Sequence, residues 1–297
     1  MFRSCFRLVA ALSVTAVCGC ALLPSCRHRP GGADAVAIAA GLSKRYVRAG
    51  EFDLLTYRRM NKPGESVRIY IEGDGNAWET RSRLSRDPTP RSPVALYLAA
   101  EDPYDNVVYL ARPGQFPRDG SSDCSPAYWS SRRYSPEVVS AFMEAIDVVK
   151  SQAGAPALEL VGHSGGAALA VLVAAERDDV FSIMTVAGNL DTDAFCRHHR
   201  VSPLTGSLNP LDAASRVAHI PQRHFIGSKD TVVPGFIAKS FVEKEGDAGN
   251  GSITTVDGAT HTNGWRRRWK ELLLVALPAG PGVDGEVCCG DGHRNGQ

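Results

Sequence analysis

A chain of 297 residues, 43% hydrophobic and 22% charged, has an ordinary globular composition and enough length to bury one large core or two smaller ones. Its net charge of +1 excludes a molecule-wide basic footprint for nucleic acid. No apolar run is long enough to cross a bilayer as a helix.

The first residues read as an address rather than as fold. Arg3 and Arg7 form a basic start, Leu8 to Val17 is a short apolar stretch, and small residues follow. This is the pattern of an export signal over residues 1–19. Val17-Cys18-Gly19-Cys20 resembles a bacterial lipobox, which implies lipidation of Cys20 after cleavage. Leu23-Pro24-Ser25-Cys26 is a poorer candidate, and cleavage without lipid is the alternative. The basic, Pro/Gly-rich stretch that follows reads as part of a tether over 20–44. The expected location is the bacterial cell envelope, on a membrane surface, or else soluble outside the cell.

From about residue 45 to 278, strands alternate with helices, which predicts one α/β domain with a mostly parallel sheet. Phe52 to Arg59 is an early strand, Val67 to Ile71 a compact one that stops at Glu72-Gly73-Asp74-Gly75, and Asn106 to Ala111 the next. Ser135-Pro136-Glu137 opens a helix with a capping serine, a first-turn proline and a dipole-matched acid. Its apolar stripe runs through Val138, Phe142, Ile146 and Val149, and Gly154 and Pro156 end it. Ala157 to Val161 is a short strand running into Gly162-His163-Ser164-Gly165-Gly166, followed by an Ala-, Leu- and Val-rich helix to about Glu176. Val180 to Ala187 is a strand. The stretch 189–221 reads as irregular and lid-like, since so long a connection in a compact domain is usually functional. Gln222 to Gly227 and Ser252 to Val256 are the last two strands, with a helix from Pro234 to Glu245 between them. Trp265, Trp269 and Leu272 mark a final helix that Pro278 stops, and 279–297 reads as a flexible tail.

Of eight cysteines, only Cys124 and Cys196 fall within the body. An exported protein can form disulfides. A Cys124–Cys196 bridge closing about 70 residues would be worth on the order of 4 kcal/mol; two buried thiols are the alternative. Cys196-Arg197-His198-His199 has no second ligand pair at matching spacing, so no metal is expected. Arg266-Arg267-Arg268 with Lys270 reads as a solvated face, with anionic headgroups as the other option.

The chemistry converges on Ser164. Gly-x-Ser-x-Gly between a strand and a helix makes a turn too sharp for side chains beside the serine, and the hydroxyl is pushed out above the sheet edge. A serine hydroxyl needs a base to take its proton. Of eight histidines, His261 follows the last strand at the carboxyl edge of the sheet, where the sites of open α/β sheets form. His198, His199 and His219, in the irregular stretch, remain open. His224 reads as packing, and the His163 ring is expected to point away from the attack direction. The acid that orients the base is Asp230, which follows the penultimate strand in Gly227-Ser228-Lys229-Asp230; Asp191 and Asp193 are its alternatives, and Asp257 reads as a turn residue.

Gly162-His163-Ser164-Gly165-Gly166, Gly227-Ser228-Lys229-Asp230 and Gly258-Ala259-Thr260-His261, in the order Ser, Asp, His, resemble the α/β-hydrolase superfamily over about residues 45 to 278. The resemblance implies an α/β-hydrolase fold, with a sheet of about eight strands and helices on both faces. It also implies an oxyanion hole made by the Gly165 amide and, where the family often has His-Gly and this chain has Glu72-Gly73-Asp74-Gly75, by the Asp74 amide. Asn76, Trp78, Gln115, Trp129 and Leu190 are candidates for the pocket, with Arg112, Tyr128 and Asn189 nearby. The expected activity is cleavage of a small ester or related acyl substrate by a Ser-His-Asp triad, without metal or organic cofactor and without nucleic acid. Transfer of the acyl group to an acceptor other than water uses the same triad. A non-catalytic envelope binding or assembly lipoprotein on the same scaffold is the reading from another class.

Overall fold

The computed structural model describes residues 32–118, 124–246, 249–275 and 277. The export signal, Cys20, Cys26 and the tail after 279 lie outside the described residues. Ten strands are present: β1 (Ser43–Ala49), β2 (Phe52–Met60), β3 (Val67–Ile71), β4 (Trp78–Thr80), β5 (Arg83–Leu84), β6 (Asn106–Leu110), β7 (Leu158–His163), β8 (Val180–Val186), β9 (Gln222–Gly227) and β10 (Gly251–Val256). Eight of them form one sheet in the order β1-β2-β6-β3-β7-β8-β9-β10, and β4 and β5 pair separately as a short hairpin. β2 runs antiparallel to both its neighbours, and every pairing from β6 across to β10 is parallel. This is the expected mostly parallel sheet of eight strands.

The helices are α1 (Ala33–Ala39), α2 (Val94–Glu101), α3 (Pro136–Ala153), α4 (Gly165–Ala174), α5 (Thr192–His199), α6 (Ala214–Val217), α7 (Phe236–Glu245) and α8 (Trp269–Leu272). They cover both faces. On β3, Val67, Ile69 and Ile71 pack with α3, α4, α6 and α7, while Tyr70 points the other way among residues of α1, α2 and α8. The strand period of two thus divides the core into two layers. α4 carries no polar face, and all ten of its residues are buried. It can therefore sit only inside the domain, behind the serine that precedes it.

Several sequence expectations need correction. The tether does not extend to residue 44, because α1 buries Ala37 and β1 pairs with β2 along its whole length. Asp34 of α1 accepts a 2.5 Å hydrogen bond from Tyr57 Oη and pairs with Lys44, so α1 belongs to the packed body. The stretch 189–221 is not wholly irregular. Asp191 caps α5 through the Ala194 amide, and α6 lies in the core through Ala214 and Val217. The final helix is short, a 3-10 turn at Arg266–Arg268 followed by α8. α2 and the β4–β5 hairpin are additional elements.

No disulfide joins Cys124 to Cys196. Cys124 stands beside Ser125 and within the field of Glu51, whereas Cys196 is buried on α5 in the field of Arg133. The two thiols answer to different neighbours, and burial pushes both of them up, Cys124 to about 12.

Two glycines set the elbow. A Cβ on Gly162 would lie 2.4 Å from Ala167 Cα, and one on Gly166 would lie 2.1 Å from Ile71 O and 2.6 Å from Glu72 O. Both obstacles are backbone, so they cannot swing aside. Gly166→Ala is expected to cost at least about 1–3 kcal/mol, as overpacking does, and to displace the loop after β3. A urea titration that finds the midpoint unmoved contradicts this packing.

Candidate active site

Each functional side chain is set at the carboxyl end of a parallel strand. Ser164 follows β7 with φ 52° and ψ −118°, a left-handed conformation unusual for a residue with a Cβ. Its strain is held by bonds on either side: Ser164 N donates to Val186 O at 2.9 Å, and Ser164 O accepts from the Ala167 and Asn189 amides at 3.1 Å. The hydroxyl is thereby fixed above the sheet, at the start of α4.

His261 and Asp230 complete the line. His261 Nε2 is 2.9 Å from Ser164 Oγ, and His261 Nδ1 is 2.9 Å from Asp230 Oδ2. The other carboxylate oxygen, Oδ1, accepts from the amides of Val232 and Val233 at 2.8 and 2.9 Å. Burial alone would raise the Asp230 carboxyl. Its bonds to His261 and to these two amides outweigh burial and hold it below the usual carboxylate range, so it stays ionised. For His261, burial lowers the imidazole and His163 lowers it further, against the opposing pull of Asp230. The base is thus neutral at neutral pH and free to accept a proton.

Four of the competing candidates have other partners. Asp191 caps α5, Asp257 accepts from Ser228 Oγ as a turn residue, and His199 Nε2 bonds to Val232 O. His224 is buried in β9 against Thr185 Oγ1 and Phe241, as packing.

Around the triad lies a cavity of about 490 Å³. Asn76 and Trp78 line it as expected, and Asn189 does too. Gln115, Trp129 and Leu190 do not, for distinct reasons. Gln115 is turned inward and bonds to Gly73 O at 2.9 Å. Trp129 is buried, with its Nε1 donating to Ser85 O, and packs over Gly114. Leu190 is fully buried in the layer of α3 and α4. Each of the three finds its partners inside the protein rather than in the cavity.

The loop after β3 is the part that sequence reasoning read least well. Glu72, in the place of the family's histidine, does not face the oxyanion position. It is 1% exposed, and its Oε1 accepts from the amides of Gly73 and Ala95. The Asp74 carboxylate is caged by Arg112 Nη1 at 3.1 Å, Arg133 Nη1 at 2.6 Å and Tyr134 Oη at 3.2 Å. Burial would raise it, but Arg133 and Arg112 prevail and hold it below the usual range. This cage fixes the loop from its side-chain side. Among the described residues, neither the Asp74 amide nor the Gly165 amide donates a hydrogen bond to protein, and both residues border the catalytic centre. Arg133 and Tyr134 were missed. Their signal was available: the segment between β6 and the Ser135 cap of α3 must pass over the carboxyl edge, so its charged residues are site candidates.

His163 was also read incompletely. Its ring makes no bond to Ser164, but it lies 5.1 Å from the His261 ring, and its Nε2 is 3.0 Å from His261 O. A carbonyl only accepts, so Nε2 carries the proton and donates. Its Nδ1 then faces Glu72 Oε1 at 3.7 Å. Replacing His163 by glutamine keeps a donor near His261 O and removes a group that disfavours positive charge on His261. The acid limb of the pH–rate profile is therefore expected to move to higher pH. An unmoved limb contradicts the coupling.

No protein-family model matches this sequence, and no curated protein matches it in sequence. Solved structures do match it in fold. One is the esterase Pf2001 of Pyrococcus furiosus, with TM-score 0.56, 15% identity, and 78% of this chain and 90% of that one covered. A second is Est1E of Butyrivibrio proteoclasticus, with TM-score 0.53, 15% identity, and 78% and 97% covered. A third is an alpha-beta serine hydrolase homologue from Coxiella burnetii, with TM-score 0.51, 17% identity, and 77% and 93% covered. The chain has the α/β-hydrolase fold.

Proposed function

We propose that this α/β-hydrolase-fold protein is a serine hydrolase that cleaves carboxylic esters through an acyl-enzyme. The observation that carries the reading is the unbroken series Ser164 Oγ, His261 Nε2, His261 Nδ1 and Asp230 Oδ2, its two hydrogen bonds each 2.9 Å, opening onto a cavity. One structural neighbour bears the name esterase and another the name serine hydrolase homologue, which adds to it.

In this reading, Ser164 Oγ attacks the ester carbonyl while its proton passes to His261 Nε2. The carbonyl oxygen becomes an oxyanion that the Gly165 and Asp74 amides receive. Asp230, already ionised, stabilises the imidazolium. Collapse breaks the bond to the alcohol, and His261 returns the proton to the leaving oxygen. Water then repeats the cycle on the acyl-Ser164 ester: His261 takes its proton, the acid leaves, and the serine is restored. Trp78 is 44% exposed at the cavity, so water has ready access, which favours hydrolysis over transfer to another acceptor. The N-terminal pattern adds a location to the proposal: export, with lipidation at Cys20 holding the enzyme on an envelope membrane.

Mixing the protein with a 4-nitrophenyl ester tests the activity. The expected result is a burst of 4-nitrophenolate equal to the enzyme concentration, followed by slower turnover. Release no faster than in buffer, across short and long acyl chains, would refute it.

A further inference from the structure

The cavity is lined with more charged groups than a site for neutral esters needs. Four charged residues line it besides the triad: Glu72, Asp74, Arg91 and Arg133. Both carboxylates are held by the protein, Glu72 through Oε1 and Asp74 through both oxygens. Glu72 is sealed at 1% exposure, with backbone amides on Oε1 and the His163 ring beside it. Asp74 is shared by two guanidiniums and a phenol, so the cluster of Asp74, Arg112 and Arg133 holds one positive charge more than it neutralises.

The cations keep donors to spare. A guanidinium has five N–H donors in a rigid fork. Arg133 spends Nε on Ser130 O and Nη1 on Asp74, and no other hydrogen bond of its guanidinium occurs among the described residues. Its side chain is only 11% exposed, so the remaining edge looks into the cavity rather than into bulk water. Donors on a side chain that lines a cavity are available to acceptor oxygens of a molecule bound there. Arg91, on the loop between β5 and α2, lines the same cavity, is exposed, and forms no ion pair or side-chain hydrogen bond among the described residues. Phe195, Val232 and Val233 supply an apolar part of the lining.

Resting on the serine-hydrolase reading, we propose that the substrates are esters whose acyl or alcohol arm ends in an anionic oxygen group, a carboxylate or a phosphate-like group, received by the open edge of Arg133 and by Arg91. Arg133 is fixed by Asp74 and supplies direction, in the manner of a preorganised fork. Arg91 is exposed and supplies attraction at longer range, which salt screens. The apolar part of the lining takes the carbon chain between the two ends.

Three 4-nitrophenyl esters of matched length test the proposal on the full chain: the hemiadipate, its methyl-capped neutral counterpart, and the 5-phosphonopentanoate. The expected kcat/KM is about tenfold or more higher for at least one anionic ester than for the neutral one at low ionic strength, as one charge-assisted bond provides. The advantage should shrink with added salt and fall in Arg91→Gln. Which anionic ester leads identifies the carboxylate or the phosphonate as the better fit. A neutral ester turned over as well as both anionic ones overturns the proposal while leaving the serine-hydrolase reading intact. Calorimetric binding to Ser164→Ala reads the same preference without turnover. Equal affinity for capped and anionic esters there also overturns the proposal, whether or not the wild-type protein hydrolyses anything.

Discussion

Replacing Ser164 by alanine is expected to lower kcat for ester cleavage by about a millionfold, the scale of loss when a triad nucleophile is removed. The size of the effect follows from the geometry. The hydroxyl is the one group that both accepts guidance from His261 Nε2 and stands beside the Gly165 amide at the start of α4. The imidazole can activate water in its absence, but no backbone element holds that water at the serine's position. Substrate binding should survive, since the cavity walls do not change, so KM should move far less than kcat. The same position also stores strain. Ser164→Gly relieves φ 52° and is expected to raise stability by about 1 kcal/mol or more while abolishing activity. A chemical melt together with an ester assay reads both effects, and retained activity within tenfold in either variant contradicts the assignment.

Asp230→Asn is expected to lower kcat by about ten-thousandfold with the fold intact. The pattern of donors around the carboxylate gives the reason. Oδ1 accepts from two amides, Val232 and Val233, so an asparagine must keep its carbonyl oxygen there. Its NH₂ then points at His261 Nδ1, where Oδ2 had accepted a bond. The imidazole is forced to place its proton on Nε2, the atom that must take the proton from Ser164. The variant should therefore bind substrate normally but turn over only at rates set by the rare correct tautomer. Activity within tenfold of wild type would mean that Asp230 does not fix the tautomer.

The meeting of Ser164, His261 and Asp230 was legible in the sequence because all three share one local signal: a short β-branched or aromatic run that stops at a glycine, with the candidate residue just beyond. Val67 to Ile71 and Gln222 to Gly227 are strands with the expected bounds for the same reason. What stayed hidden depends on contacts between distant segments. Asp74 meets Arg112, Arg133 and Tyr134 across 38, 59 and 60 residues, and nothing in their spacing announces the cage. α1 was obscured by the Pro- and Gly-rich residues before it, and α5 by the polar residues around it, although its Asp191 cap was readable. Gln115, Trp129 and Leu190 were misplaced because position along the chain locates a loop at the sheet edge but does not say whether its side chain turns out to solvent or in to the core.

Treatment of the intact protein with a fluorophosphonate, followed by peptide mass mapping, tests the central claim most directly, because the reagent reacts only with a serine whose proton has somewhere to go. The account predicts one adduct, on Ser164, formed in the wild-type chain, much slower in Asp230→Asn, and absent when His261 is replaced by alanine. An adduct on a different residue, or no adduct on well-folded protein, would contradict it.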